Sequence, residues 1–298
     1  MSTFTVVGIG EVLWDFLPTG SQLGGAPCNL AFHAHALGDN AVILSRVGAD
    51  ALGETALRML GRAGVDVSRV QRDPDAPTGT VSVSLDRQRH PKFTITPDVA
   101  WDRMEWTDEW LGAASSADAV CFGTLAQRSK TSREAIRSFV AATKPGCLVT
   151  FDVNLREFYY SSEIIEASLE MADVCKMNEQ ELPAVAAALH MPVTTAAETA
   201  RRIVDEFDLR CLAVTRGEKG SLLVSASEVA EHAGFVVEVQ DTVGAGDAFT
   251  AGLIHSLLRN MSLADASHIA AERGAWVAAS KGAMPDPASF DKRAFARG

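Results

Sequence analysis

A chain of 298 residues with 47% hydrophobic and 22% charged side chains has the make-up of an ordinary soluble globular protein, long enough to bury a full core. Its formal net charge of -11 argues against nucleic acid or an anionic membrane as the main partner, because both would repel it. A local anion pocket remains compatible with that charge.

The opening "MSTFTVVGIGEVLW" lacks a basic segment followed by an apolar run, which predicts no secretory signal. No window reaches the roughly 20 apolar residues of a bilayer span. Cys28, Cys121, Cys147, Cys175 and Cys211 are scattered without a CxxC, so buried reduced thiols in a cytoplasmic protein are expected.

Short apolar runs predict strands at 5–10, 41–48, 118–125, 147–154, 173–178 and 211–217. Amphipathic spacing predicts helices between them, at 53–64, 131–143 and 195–207. Continuous apolar strands alternating with helices imply a mostly parallel sheet covered on both faces. Two stretches break the rhythm. Residues 11–27 are irregular and glycine-rich, and residues 77–97 alternate polar and apolar around a charged turn, a hairpin pattern. Together they predict a small β flap over one end of the sheet; a surface hairpin without that role is the alternative. With no repeat, low-complexity tract or linker, residues 1–298 are expected to form one domain with this lid inserted. His33 and His35, two apart on a predicted helix, face different directions and make a poor metal pair.

In "DTVGAGDAFTAGL" (241–253) the glycines permit tight turns, and the following residues supply a helix. Backbone N–H groups at such a helix mouth, aided by the macrodipole, suit phosphate oxygens or the charge of phosphoryl transfer. Asp247 inside that turn competes with a bound anion unless it faces an acceptor hydroxyl and takes its proton. On spacing alone, a general base and a helix cap fit equally well. Other glycine motifs fail. There is no GxxxxGK[ST]; "GIGEVL" has Leu13 where a dinucleotide fingerprint needs its third glycine; Gly244 and Gly246 fail the same test at Phe249. The protein-kinase motif set is missing too.

With "GGAPCNLAFHAHALG" (24–38), "DVNLR" (152–156), "KMNEQEL" (176–182), "AVTRGEKGSLL" (213–223) and "DTVGAGDAFTAGL" in this order, the chain resembles the ribokinase-like, PfkB-type small-molecule kinases, and within them the fructokinases. The resemblance implies an αβα sandwich with a small β lid. It implies Mg-ATP as donor and transfer of the γ-phosphoryl group to a sugar hydroxyl, with Asp247 as base and the amides of Gly244, Ala245 and Gly246 as anion hole. Asp15 would accept from sugar hydroxyls, unless it only forms a turn before Pro18. Gly24 and Gly25 would let substrate approach the backbone, and Asn29 would bond a polyol or, alternatively, cap a helix. Asn154 and Arg156 complete the expected sugar contacts, although Arg156 is compatible with either a neutral sugar or a sugar acid, since it could serve phosphate instead.

The same resemblance places Asn178 near the phosphates and Glu181 on water around Mg²⁺. Read without it, this pair, three apart on one helix face, is a first-turn acid beside the helix dipole. Thr215 and Gly217 would border the nucleotide. The segment 270–285, with Ala279 and Gly282, would close over adenine, although Ala279 also suits a core helix. Asp241, with carbonyls around Val243 and Gly282, matches a K⁺ site in many relatives.

In "TITPDVAWDRM" (94–104), Asp98, Trp101 and Asp102 depart from the fructokinase pattern. Acids there would disfavour an anionic acceptor, and Trp101 could stack on a sugar face, with a surface helix cap as the alternative. A neutral hexose, fructose first, is the expected substrate. Ribose, a 2-keto-3-deoxy sugar acid, a nucleoside, and a non-catalytic sugar-binding regulator are the alternatives. Water must be excluded from phosphoryl transfer, so the lid is expected to close over sugar. Its edge strands are expected to be covered in a homodimer.

Overall fold

The computed structural model describes residues 3–17, 20–85, 91–291 and 295. The charged turn at 86–90 and residues 18 and 19, parts of the predicted lid, lie outside the described residues.

In chain order the elements are β1 (Thr5–Ile9), β2 (Leu13–Leu17), β3 (Gly20–Gly24), α1 (Ala26–Ala36), β4 (Asn40–Leu44), β5 (Arg46–Gly48), α2 (Ala51–Arg62) and β6 (Gln71–Asp73). There follow β7 (Gly79–Leu85), β8 (Pro91–Ile95), α3 (Asp108–Ser116), β9 (Ala119–Gly123), α4 (Lys130–Ala141), β10 (Leu148–Asp152), α5 (Ser162–Glu170) and β11 (Val174–Asn178). The last are α6 (Glu181–Ala188), α7 (Ala196–Phe207), β12 (Cys211–Thr215), β13 (Ser221–Val224), β14 (Val229–His232), α8 (Ala245–Leu258) and α9 (Leu263–Ala278).

Eight strands form the main sheet in the order β14-β13-β12-β11-β10-β9-β1-β4. The six from β12 to β4 run parallel, and β13 and β14 join antiparallel at one edge. Alternation along the strands gives two apolar faces. Val7, Val120, Phe122 and Leu212 pack under α3 to α7, whereas Val6, Ala119, Cys121 and Cys211 pack under α1, α2, α8 and α9. These layers match the expected αβα sandwich. All five cysteines are buried free thiols, and no helix among the described residues is long and apolar enough to cross a membrane.

A second sheet, ordered β3-β2-β7-β8, is the lid. The predicted hairpin is β7 with β8, and the irregular stretch 11–27 supplies β2 and β3, with β2 pairing parallel to β7. One predicted strand is corrected. Residues 41–48 do not run as one element: β4 ends at Leu44, and β5 leaves the main sheet to pair with β6. Arg46 ties β5 to β6, its guanidinium lying 2.9 Å from the buried carboxylate of Asp73.

Candidate active site

The parallel strands β1, β10 and β11 present their carboxyl ends to α1 and α8, at the edge where open α/β sheets bind ligands. At the mouth of α8, Gly244 is the N-cap in the left-handed conformation, φ 79°. A Cβ on it would also lie 2.5 Å from the Cβ of Ala283, so both the backbone and the packing require glycine. The helix begins at Ala245, and Asp247 stands at its third position without a side-chain cap bond to the helix. The cap reading of Asp247 therefore loses its geometry.

Asp247 instead accepts from Asn29 Nδ2 at 2.7 Å, across the interface of α8 with α1. Asn29 lies one turn beyond Gly25, the N-cap of α1, so it does not cap that helix either. Its buried Oδ1 has no partner among the described residues and is free to accept from a hydroxyl. Burial pushes the Asp247 carboxyl up to about 6, and Asp152 adds to this, while Asn29, Lys176 and Arg156 pull it down.

Behind Asp247 lies a buried ion pair. Lys176 Nζ meets Asp152 Oδ1 at 3.1 Å, the two being register partners on β11 and β10. Thr250 Oγ1 of α8 donates to the other oxygen of Asp152 at 2.8 Å. The ammonium lies 2.9 Å from where a Cβ on Gly246 would sit, so it stands directly against the glycine turn. Burial alone would lower the Lys176 pKa, but Asp152, Glu181 and Asp247 together raise it, so the ammonium stays charged.

Glu11, two residues beyond β1, is a further buried acid. Its Oε1 accepts from Ala26 N at 3.2 Å at the start of α1. Burial lifts its carboxyl to about 7, against its backbone hydrogen bonds and Arg156. Asp15 on β2 is also raised by burial and held down by Arg156. Gly24, in the neighbouring strand β3, leaves room for it: a Cβ there would lie 2.7 Å from Asp15 Oδ2. Exposed Arg156 is thus the cation that acts on Asp15, Glu11 and Asp247 alike. Asn154, just before it, adopts φ 42°, turning the chain out of β10.

A second group lies along the ends of β11 and β12. Asn178 and Thr215 are register partners. Asn178 and Glu181 do not share a helix face as expected, because Asn178 ends a strand and α6 starts at Glu181. Asn178 Oδ1 accepts from Gln180 N and Glu181 N, both at 2.9 Å, and Glu181 returns a bond from Asn178 N at 2.7 Å, a reciprocal cap. The other Glu181 oxygen accepts from Leu155 N at 2.8 Å, tying this group to the Asn154–Arg156 loop. Gly217 turns the chain after β12 with φ 58°.

Ala279 ends α9, and Gly282 follows with φ 74°. Asp241 accepts from Val243 N at 3.0 Å and from Gly282 N at 3.2 Å, so it binds the two loops together. Lid residue Gln22 reaches this rim, its Oε1 3.5 Å from where a Cβ on Gly282 would sit. Among the described residues no group of three acidic, His or Cys side chains is placed to hold a metal ion.

Trp101 requires a correction. It is fully buried, with the Arg128 guanidinium 3.9 Å from its ring centroid, and presents no face to a sugar. Asp102 pairs with the same guanidinium at 2.8 Å, so its charge is neutralised internally and does not act on an acceptor. The sequence reading also missed Glu11, Asp152 and Lys176. The available signal was a lone charge inside an apolar run: Glu11 in "GIGEVL", Asp152 in "VTFDV" and Lys176 in "VCKM".

The profile of the pfkB family carbohydrate kinases matches residues 19–289. A fructokinase of Escherichia coli is 32% identical over 267 residues, covering 84% of this chain and 83% of that protein. A fructokinase of Salmonella typhimurium is 31% identical over 302 residues, covering 93% and 94%. The crystal structure of fructokinase from Vibrio cholerae O395, with fructose, ADP and calcium ion bound, superposes with a TM-score of 0.80 at 27% identity, covering 95% of this chain and 96% of that one. A family match over residues 19–289, with fructokinase relatives at about 30% identity over most of the length, makes the chain a sugar kinase of the pfkB carbohydrate kinase family.

Proposed function

We propose that the chain transfers the γ-phosphoryl group of Mg-ATP to a hydroxyl of a neutral hexose, fructose first. The observation that carries this reading is the setting of Asp247: buried, uncapped, raised to about 6 and held by Asn29 beside a left-handed glycine turn. At neutral pH that carboxylate is mostly ionised and can take a hydroxyl proton as phosphate arrives. The amides of Gly244, Ala245 and Gly246 would receive the developing charge, with the Lys176 ammonium adjacent. Asp15 and the free Oδ1 of Asn29 would accept from sugar hydroxyls. Three acids facing one exposed arginine favour a neutral acceptor over an anionic one.

Asn178, Thr215 and Gly217 would border the nucleotide, with Ala279 and Gly282 on its adenine side. Both Glu181 oxygens accept backbone amides, which suits a carboxylate that acts on Mg²⁺ through water, and Asn178 keeps its amide nitrogen for the phosphates. Bound Mg²⁺ would neutralise phosphate charge. K⁺ near Asp241 would draw on backbone carbonyls around Val243 and Gly282 and on the lone pairs that Asp241 keeps beside its two amide bonds. Exposed Phe16 on β2 supports a homodimer that covers the lid, in a cytoplasmic enzyme.

The test is ADP release with Mg-ATP across fructose, ribose, glucose, 2-keto-3-deoxygluconate and adenosine. Selective turnover of fructose supports the reading. Preference for the sugar acid or adenosine replaces the substrate, and no turnover despite sugar binding replaces the kinase with a sugar-binding regulator.

A further inference from the structure

Helix α1 makes two polar contacts from one face. Asn29 and His33 are four residues apart, and while Asn29 grips Asp247, His33 Nε2 lies 2.8 Å from the carbonyl oxygen of Ala283. A carbonyl can only accept, so Nε2 carries the proton and donates it. The ring is fully buried, edge-on to Phe32 at 5.1 Å and to Trp276 at 5.8 Å. Its Nδ1 has no partner among the described residues. An apolar ring would fill this space without an orphaned nitrogen, so the contribution special to histidine is the bond to Ala283.

Ala283 is not an arbitrary loop residue. Its Cα and Cβ lie 2.7 and 2.5 Å from where a Cβ on Gly244 would sit, so it rests against the first residue of the glycine turn. The preceding residue, Gly282, is tied through Asp241 to Val243 on the other side of that turn. Released from His33, the 282–284 loop would lose its inner anchor, and Gly244 would lose the surface it packs on.

We propose that His33 is a positioning residue for phosphoryl transfer: through the Ala283 carbonyl it holds the 282–284 loop against Gly244 and so sets the direction of the Gly244–Gly246 amides. This rests on the kinase reading above for its catalytic consequence, but not for its structural one. A helix that grips both the base and the floor of the anion hole keeps the two in register with each other.

The test compares His33→Phe, which keeps the ring and removes the donor, with His33→Gln, whose amide nitrogen reaches about as far as Nε2. Hydrogen–deuterium exchange of the segments 241–248 and 280–286 is followed alongside initial rates with Mg-ATP and fructose. In His33→Phe, exchange of both segments is expected to accelerate, and kcat to fall about tenfold while the sugar KM stays within about twofold. His33→Gln is expected to restore slow exchange and most of kcat. Wild-type exchange and kcat in His33→Phe would overturn the proposal. So would equal impairment in His33→Gln, because ring shape and not the N–H would then matter. If the wild-type protein turns over no acceptor, the kinase reading fails alone, and the exchange data still decide the role of His33.

Discussion

Asn29 Nδ2 and Asp247 Oδ2 stand 2.7 Å apart although 218 positions separate the residues in the chain. The bond joins the helix that follows the lid strands to the helix that follows the glycine turn. It leaves Asn29 Oδ1 buried and without a partner among the described residues.

Asp247→Asn should separate activity from stability. Loss of a general base predicts a kcat lower by about two to four orders of magnitude, with a small change in sugar KM. Stability should move the other way. The folded-state pKa of about 6 lies above the ordinary 3.8, so the folded protein binds the proton more tightly and loses stability as pH rises between those values. At pH 8 the neutral variant should be more stable by about 2 kcal/mol, with the gain gone near pH 4. Urea unfolding at both pH values checks this; a variant less stable at pH 8 would refute it.

Arg156→Gln should move the acid limb of the kcat/KM profile. Asp247 must be ionised to act, so kcat/KM should fall below about pH 6. Arg156 holds the Asp247, Glu11 and Asp15 carboxyls down, and its removal should shift that limb to higher pH. A pH profile with the limb unmoved would show that solvent screens this exposed arginine.

Gly244→Ala should damage the turn itself. The residue would have to adopt φ 79° and place a methyl group 2.5 Å from Ala283 Cβ. A stability loss of about 1–3 kcal/mol and a fall in kcat of more than tenfold are expected, measured by denaturant unfolding and initial rates. Full activity would remove the glycine turn from the mechanism.

Trp101→Phe should leave sugar recognition intact. The indole is fully buried against Arg128, so its trimming should cost about 1–2 kcal/mol of stability while the sugar KM stays within about twofold. A large rise in KM with unchanged stability would return Trp101 to the sugar site.

Local pattern carried much of this protein. The apolar runs of β1, β9, β10, β11 and β12 and the alternation of β7 and β8 depend on periodicity within a few residues, and they appear where periodicity put them. The turn at Gly244 was legible for the same reason, since its glycine requirement is a property of local backbone geometry. The break after Leu44 was not, because β5 pairs with β6, a strand about 25 residues further along the chain. Trp101 was misplaced for the same kind of reason: its cover comes from Arg128, 26 residues beyond Asp102, the acid that the arginine also binds.

By itself the sequence determined the layered α/β plan, the lid and the identity of the glycine turn, since each follows from short-range spacing and steric limits. Only the tertiary structure decided whether Asp247 caps its helix or faces Asn29, and that Lys176 pairs with Asp152 behind it. Those outcomes are set by desolvation and by partners from distant segments, and both exist only once the sheet has closed against α1 and α8.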